Sequence, residues 1–368
     1  MIRIAQPQLG EEEHALLAQA LASGQLTAGP RVARFEEAFA GFVGAPHGIG
    51  TSSGTSGLHV ALLAAGIGPG DRVLTTPFSF VASSNAILYC GAEPVFADLD
   101  PATLNLDPCQ AEWLLASEPG IKAMLVVHLY GQPADLDYLT FLARRHQLIL
   151  IEDCAQAHGA RFGARHVGTF GQAGVFSFYP TKNMTTGEGG AVVTADATLA
   201  GRVRYLINHG ASQRYLHQLL GYNYRLTDLA AAIGLAQLEK LPQFIASRRA
   251  NAARLTAGLG GLPGLALPGE TPGISHAWHQ YVVRTARRDA LSNHLRLRGI
   301  ETAVHYPRPI HRQPLYQQLG YSSLHLPQAE EAACQVLSLP VHPGLSPADL
   351  EMIVSAVREF FASIGPAV

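Results

Sequence analysis

The chain has 368 residues, a formal net charge of −2, 48% hydrophobic residues and only 15% charged residues. This composition excludes a disordered chain, and the length exceeds one ordinary core, so we expect two domains or one large domain with an appendage. No basic run is present, which gives no support to binding of nucleic acid or of an anionic membrane. Low charge at this size also fits a surface that is partly buried in an oligomer.

The reactive side chains are scattered rather than clustered. Four cysteines (Cys90, Cys109, Cys154 and Cys334) have neither disulfide nor metal-ligand spacing, which fits a reducing compartment. The sixteen histidines contain no H-E-x-x-H or similar pair, so we expect no metal site. The start of the chain lacks an apolar signal core, and no apolar run reaches membrane-spanning length. The sequence therefore predicts a cytoplasmic protein.

In the first half of the chain, predicted helices alternate with predicted strands. Helical spacing of apolar residues and turn signals predict helices at 11–22, 31–42, 58–65, 77–89, 135–145 and 196–207. Short apolar runs predict strands at 71–76, 94–97, 123–129, 148–151, 175–179 and 190–194. This alternation predicts a mostly parallel sheet that is covered on both faces.

The second half has a different character. Two long helices, 229–241 and 244–259, are predicted on either side of Pro242, and we place the domain boundary there, between residues 1–242 and 243–368. The segments that follow predict a small α+β domain, with strands at 278–284 and 302–305 and helices at 289–298, 329–337 and 347–361. The sequence contains neither repeats nor low-complexity segments.

Residues 50–57 combine glycines with small hydroxyl residues and lead into an apolar helix. The first-turn N–H groups of a helix have no partner within the helix, and its dipole favours an anion at that end. Such a segment can hold a phosphate. The alternative is ordinary capping of the helix by Ser or Thr.

Two charged residues follow predicted strands. Asp153 ends an apolar strand, and a carboxylate there needs a partner, such as a protonated pyridine nitrogen. The alternative is a cap on the segment that follows. Lys182 comes just after Pro180, which cannot join a sheet ladder, and open α/β sheets bind ligands at this edge. A lysine there with a lowered pKa can attack carbonyl groups; the alternative is an ordinary surface lysine.

The order of these segments matches the needs of one cofactor, pyridoxal 5′-phosphate (PLP). PLP requires a lysine for a Schiff base, a carboxylate for its ring nitrogen, donors for its phosphate and a flat surface against its ring. The helix start at 50–57, an aromatic segment around Phe80, Asp153 and Lys182 supply one candidate for each need.

The chain resembles the sugar-nucleotide aminotransferases of the DegT/StrS type over nearly its whole length. The motifs that carry the resemblance are Leu26–Pro30, Ser53–Ser56, Ile151–Asp153, Phe176–Phe178 with Lys182, Gly221–Arg225, Val304–Pro307 with His311, and Leu337–Leu345. The resemblance implies an α/β fold of the aspartate-aminotransferase type (PLP fold type I), with a large domain on a mostly parallel mixed sheet and a small α+β C-terminal domain.

The resemblance also implies roles for residues at the cofactor ring. Lys182 would form the Schiff base and, once released, would move the proton between the substrate carbon and the cofactor C4′. Asp153 would hold the pyridinium nitrogen. Phe80 would stack on the ring, and Gln156 would contact the cofactor near its phenolic oxygen.

The cofactor phosphate would be held by Thr55, Ser56 and Ser177, and by Asn223 of the partner subunit. The resemblance therefore implies a homodimer with shared active sites.

The implied sugar-nucleotide pocket contains Arg225, His305, Tyr306 and His311. Two alternatives remain open: Arg225 is simply a charge near a helix start, and the histidine loop is structural.

The implied reaction is a ping-pong transamination through an external aldimine, with L-glutamate as amino donor and a nucleotide-linked ketosugar as acceptor. Lys182 favours transamination, because the ketosugar dehydratases of this family resemble the same pattern but have a histidine at the position of the lysine. The loop Thr185–Gly190 resembles that of enzymes that aminate C4 of a 4-keto-6-deoxy sugar. The alternatives are amination of a C3-ketosugar or a keto-cyclitol, and a non-catalytic regulator with this fold.

Overall fold

The computed structural model describes residues 1–363, with a central sheet covered by helices. The strands are β1 (His47–Thr51), β2 (Arg72–Thr75), β3 (Glu93–Phe96), β4 (Ile121–Val127), β5 (Ile149–Asp153), β6 (Arg161–Phe162), β7 (Arg165–His166), β8 (Ala173–Ser177), β9 (Gly190–Thr194), β10 (Ala211–Gln213), β11 (Leu216–His217), β12 (Ile274–Ser275), β13 (Tyr281–Arg284) and β14 (Val336–Leu339). The helices are α1 (Glu11–Ser23), α2 (Pro30–Val43), α3 (Gly54–Ala64), α4 (Ala82–Tyr89), α5 (Pro108–Ser117), α6 (Leu136–Arg145), α7 (Ala197–Ile207), α8 (Asp228–Leu259), α9 (Arg288–Leu297), α10 (Pro314–Gln318), α11 (Pro327–Gln335) and α12 (Pro347–Ser363).

The central sheet has seven strands in the order β1-β9-β8-β5-β4-β2-β3. Neighbouring strands from β8 to β3 are parallel, whereas β9 runs antiparallel to both β8 and β1. The predicted mostly parallel, mixed sheet is confirmed. Because parallel strands end at the same edge, this order brings the ends of β4, β5 and β8 together.

Successive side chains of β8 point to opposite faces of the sheet and pack in the hydrophobic core on each face. Phe176 packs in the core on the α2 and α8 side, while its neighbour Val175 packs in the core that contains Leu58 of α3. The ring of Phe39 from α2 lies edge-on to Phe176 at 5.1 Å and to Phe178 at 5.0 Å. These contacts hold β8 in position against α2, and they thereby set where the loop that carries Lys182 begins.

The predicted break at Pro242 is wrong, because α8 continues through this proline from Asp228 to Leu259. A proline inside a helix removes one hydrogen bond, but it does not always end the helix. Here Leu241 and Ile245, on either side of it, are both buried in the core beside α2. Packing on both sides of Pro242 therefore keeps the helix continuous. The division into 1–242 and 243–368 stays a prediction.

The strand predicted at 302–305 is also wrong, since this segment forms only an isolated bridge from Ala303 to Ser338. The partner of β13 is instead β14, which occupies residues 336–339, after the end of α11. The four residues of β14 are fully buried, and the apolar run Val336-Leu337 favours a strand over the predicted end of a helix.

A separate core joins β13 and β14 to α9, α12 and the C-terminal half of α8. It includes Leu255, Tyr281, Leu295, Leu337 and Ile353, all fully buried. None of the helices in residues 1–363 is both long enough and apolar enough to cross a membrane.

Ile353→Ala should lower the free energy of unfolding by about 2–5 kcal/mol, because it leaves a cavity where a fully buried side chain packed. Equilibrium urea unfolding measures the change. Met352→Ala, one residue earlier and 45% exposed, is the matched control and should change stability little. Equal losses for the two variants would contradict the packing of α12.

Candidate active site

Asp153 is the last residue of β5 and lies between the ends of β4 and β8. Its register partners are Val127 on β4 and Val175 on β8. The side chain is 5% exposed and lines a cavity of about 570 Å³. Asp153 is therefore a buried carboxylate at the end of a strand, as the sequence predicts.

The Asp153 carboxylate has two donors from the chain. Oδ1 accepts the backbone N–H of Ala155 at 3.0 Å, and Oδ2 accepts the hydroxyl of Ser83 at 2.7 Å. Burial raises the pKa of Asp153, while the Ser83 and Ala155 donors and the Lys182 charge act against this rise. A cationic ligand in the cavity would stabilise the carboxylate further.

Lys182 lies in the loop after β8, which ends at Ser177, three residues before Pro180. Its backbone N–H donates to the carbonyl of Tyr179 at 2.9 Å, so the chain turns sharply there. Burial lowers the pKa of Lys182 to about 8, and the Asp153 charge partly opposes this. More of the amine is therefore neutral near neutral pH than for an ordinary lysine, and the neutral form is the one that acts as a nucleophile.

The start of α3 forms a concave wall beside this lysine. Ser53 caps the helix by accepting the N–H of Ser56 at 3.1 Å, and Thr55 and Ser177 line the same cavity. A Cβ at Gly54 would come within 2.7 Å of the Ser177 Cβ, so only glycine allows this approach. Free N–H groups in the first turn make the wall suited to a phosphate.

Gln156 and Tyr306 join the two halves of the chain at the cavity. Gln156 accepts the backbone N–H of Tyr130 at 2.7 Å through Oε1 and donates from Nε2 to the Tyr306 hydroxyl at 3.0 Å. The Tyr130 hydroxyl donates to the carbonyl of His305. These bonds anchor the loop that carries His305 and Tyr306 against the end of β5.

Eight of the predicted site residues line this one cavity. They are Thr55, Phe80, Asp153, Gln156, Ser177, Lys182, His305 and Tyr306. Phe80 is 58% exposed, with its ring centre 6.4 Å from that of Tyr306. The His305 ring bonds the Ser338 hydroxyl at 2.9 Å, and burial lowers its pKa to about 4, so the ring is neutral at neutral pH.

The other four predicted residues do not line the cavity within one chain. Ser56 bonds Ser53 in the helix cap instead of facing the cavity. Arg225 donates to the Asn208 side chain at 2.7 Å, and Asn223 forms a backbone bridge with Asn208.

His311 is the fourth of these residues. Its fully buried ring bonds Glu330 at 3.0 Å, away from the cavity.

Ser83 and His279 are among the cavity-wall residues that sequence reasoning missed. His279 is 6% exposed, its Nδ1 has no partner among residues 1–363, and burial keeps its pKa well below the usual range. Neither residue belongs to a local motif. Ser83 lies in an apolar helix, and His279 follows Trp278 in a segment whose sequence predicts a strand.

One group of potential metal ligands lies behind the cavity. Side-chain atoms of His128, Glu152 and Cys154 lie within 4.8 Å of one another, all buried. The Glu152 carboxylate accepts backbone N–H groups of Gly168, Phe170 and Gly171 and bonds His128 at 3.0 Å. These hydrogen bonds give the buried charge a structural role in joining β4, β5 and the start of β8.

The residues present fit PLP, because the cavity combines an amine of lowered pKa, a buried carboxylate and a wall suited to a phosphate. The model of the DegT/DnrJ/EryC1/StrS aminotransferase family matches residues 7–358. The chain belongs to this family. Its members depend on PLP, and the resemblance inferred from the sequence motifs is confirmed.

The family includes close relatives of this chain. It is 42% identical over 367 residues to dTDP-3-amino-3,4,6-trideoxy-alpha-D-glucose transaminase of Streptomyces venezuelae, covering 100% of this chain and 96% of that protein. It is 41% identical over 357 residues to a pleiotropic regulatory protein of Geobacillus stearothermophilus, covering 96% and 95%. The crystal structure of S. venezuelae DesV with a ketimine intermediate matches with a TM-score of 0.92 and 43% identity, covering 95% and 94%.

The rate at which the apoprotein captures PLP on Lys182 should rise with a midpoint near pH 8, because burial lowers the pKa of the amine from 10.5. Stopped-flow absorption measures this rate. Asp153→Asn should move the midpoint lower, since the Asp153 charge raises the lysine pKa. Lys122→Arg, at an exposed position, is the control and should leave the profile unchanged. A midpoint near pH 10 would contradict the assigned environment.

Proposed function

We propose that this aminotransferase moves the amino group of L-glutamate to C4 of a nucleotide-linked 4-keto-6-deoxy sugar. The observation that carries the proposal is the Lys182 amine in the same cavity as the Asp153 carboxylate, at the carboxyl edge of the sheet. Family membership supports the class of reaction, a transamination of sugar nucleotides. The donor and the ring position are the proposed parts.

The side chains have distinct roles in this reaction. Bound PLP supplies the electron sink that lets a proton leave the substrate carbon. Lys182 binds the cofactor, and its released amine accepts and returns that proton. Asp153 would pair with the ring nitrogen, while Thr55 and Ser177 would hold the phosphate. Phe80 would cover the ring, and Gln156, which donates to the Tyr306 hydroxyl, would also hold the phenolic oxygen.

The wall opposite the phosphate would receive the sugar nucleotide. His305 and Tyr306 line it, and Glu188, from the loop at 185–190, lines the cavity as well. The resemblance of this loop to that of C4 aminotransferases supports C4. The 3-amino product named for the S. venezuelae relative supports the alternative, a C3-ketosugar. A keto-cyclitol has no such support.

A non-catalytic regulator is the second candidate, since the name of the G. stearothermophilus relative describes regulation. Against it stands the set of Lys182, Asp153 and Ser177 at one cavity, because an idle protein has no physical need for a lysine with a lowered pKa there.

We infer that a homodimer completes the site, because large apolar side chains are exposed in the segment 215–220, shortly before Asn223 and Arg225. Tyr215 is 81% and Leu220 82% exposed, and Leu216 and Tyr89 are about half exposed. Several large apolar side chains exposed in one region favour a protein interface there. Asn223 follows Leu220 closely, so a second copy seated there brings Asn223 and Arg225 towards its partner's cavity.

Glutamate should convert the lysine-bound cofactor to the amine form, and the enzyme should then aminate nucleotide-linked 4-keto-6-deoxy sugars. The near-visible absorption spectrum follows the first half-reaction, and chromatography with mass spectrometry of a panel of ketosugar nucleotides follows the second. Faster turnover of 3-keto than of 4-keto substrates would replace C4 by C3. Conversion by glutamate without turnover of any ketosugar would remove the sugar assignment and keep the donor.

Lys182→Ala provides the catalytic control for this experiment. The variant should lose at least about a thousandfold in turnover, because it lacks both the attachment point and the proton carrier. Substantial transamination by this variant would contradict the assignment of Lys182.

Leu220→Asp should convert the dimer into single chains of 39.2 kDa, because a charge would enter an apolar interface where each leucine contributes about 1.5–3 kcal/mol. Sedimentation velocity measures the mass. Leu297→Asp, at another exposed leucine (75%), is the matched control and should remain dimeric. A wild-type protein that sediments as a single chain would contradict the dimer.

A further inference from the structure

Ser83 occupies a position between α4 and the cavity. It is the second residue of α4, it is 2% exposed, and it lines the cavity beside Asp153. Its Oγ lies 2.7 Å from Asp153 Oδ2. An ionised carboxylate only accepts hydrogen bonds, so the proton in this contact belongs to Ser83.

A second hydroxyl holds Ser83 in place. The Oγ atoms of Ser79 and Ser83 lie 2.8 Å apart, and Ser79 Oγ also lies 2.9 Å from the carbonyl oxygen of Phe80. Since the Ser83 proton is donated to Asp153, the Ser79 hydroxyl is the donor to Ser83, and its single proton does not bond the Phe80 carbonyl at the same time. The hydroxyl of Ser83 is therefore held between the Asp153 carboxylate and the Ser79 hydroxyl in the turn before α4.

We propose that Ser83 is a positioning residue for the cofactor ring. Its hydroxyl orients the Asp153 carboxylate, so that the proton shared between Asp153 and the ring nitrogen stays on the nitrogen. The proposal rests on the pairing of Asp153 with the ring nitrogen. It is independent of the amino donor and of the sugar position.

The physical reason is competition for one proton. A carboxylate that accepts a donated hydrogen bond is a weaker base, so the proton that it shares with the ring nitrogen stays on the nitrogen. A protonated nitrogen draws electrons from the ring and is the better electron sink. Without the Ser83 donor, the buried carboxylate would hold this proton more strongly.

Among the side chains around Asp153, Ser83 contributes most to keeping the carboxylate ionised. Lys182 and His128 also favour the ionised form of Asp153, but by less than Ser83 does. Glu152 bonds His128 and the backbone at 168–171 instead. The Tyr306 hydroxyl receives its hydrogen bond from Gln156. Among residues 1–363, Ser83 is the one side chain that donates a hydrogen bond to Asp153.

The test uses the holoenzyme loaded with PLP that carries nitrogen-15 in its ring. In the wild type, the nitrogen-15 resonance should be that of a protonated pyridine at neutral pH. In Ser83→Ala it should move towards that of neutral pyridine, and the affinity for PLP should fall about tenfold, as expected for a lost hydrogen bond to a charge. Ser83→Thr, which keeps the hydroxyl, should restore the wild-type resonance.

Ser84→Ala is the matched control, because Ser84 is as buried, lies next in the same helix, and makes no hydrogen bond to Asp153 among residues 1–363. It should leave the resonance and the affinity unchanged. An unchanged resonance in Ser83→Ala would overturn the proposal. Asp153→Asn separates the two assignments: if this variant also leaves the resonance of the protonated ring unchanged, the pairing of Asp153 with the ring nitrogen is wrong.

Discussion

Burial of one carboxylate at the end of a buried strand constrains the whole site. Moving an unpaired charge into a protein interior costs several kcal/mol, so Asp153 must have partners that arrive from other elements. The chain supplies them from the start of α4, from the backbone after β5 and from the loop after β8. The carboxylate also lines the cavity, where a cationic cofactor ring would complete its environment.

Packing far from the cavity sets the distances within it. The aromatic contacts of Phe39 with Phe176 and Phe178 hold β8 against α2, and the buried Glu152 joins three strands just behind Asp153. Since close-packed interiors transmit displacements of an ångström or less, a change in either cluster would move Lys182 relative to Asp153. The site is therefore as rigid as the sheet on which it is built.

The sequence predicted the features that depend on local pattern. A buried apolar run that ends in Asp153, and a proline before Lys182, mark strand ends wherever they fold. Sequence-based prediction failed where the structure of a segment depends on contacts with residues far along the chain. Residues 47–51 contain two glycines and form a strand only through their pairing with β9. Residues 302–305 lose the partner strand to residues 336–339. Ser83 gains its role only from contact with a strand far along the chain.

The cavity has two kinds of wall. Asp153 ends one strand of the parallel part of the sheet and Lys182 follows another, whereas His305 and Tyr306 belong to an irregular loop that hydrogen-bonds Tyr130 and Gln156. If the proposed roles hold, chemistry and recognition are encoded in separate stretches of sequence. An evolving gene can exchange the recognition loop and keep the two bonds that anchor it, without disturbing proton transfer. A single ancestral scaffold built in this way can diversify to accept many sugars at little cost to its catalytic step.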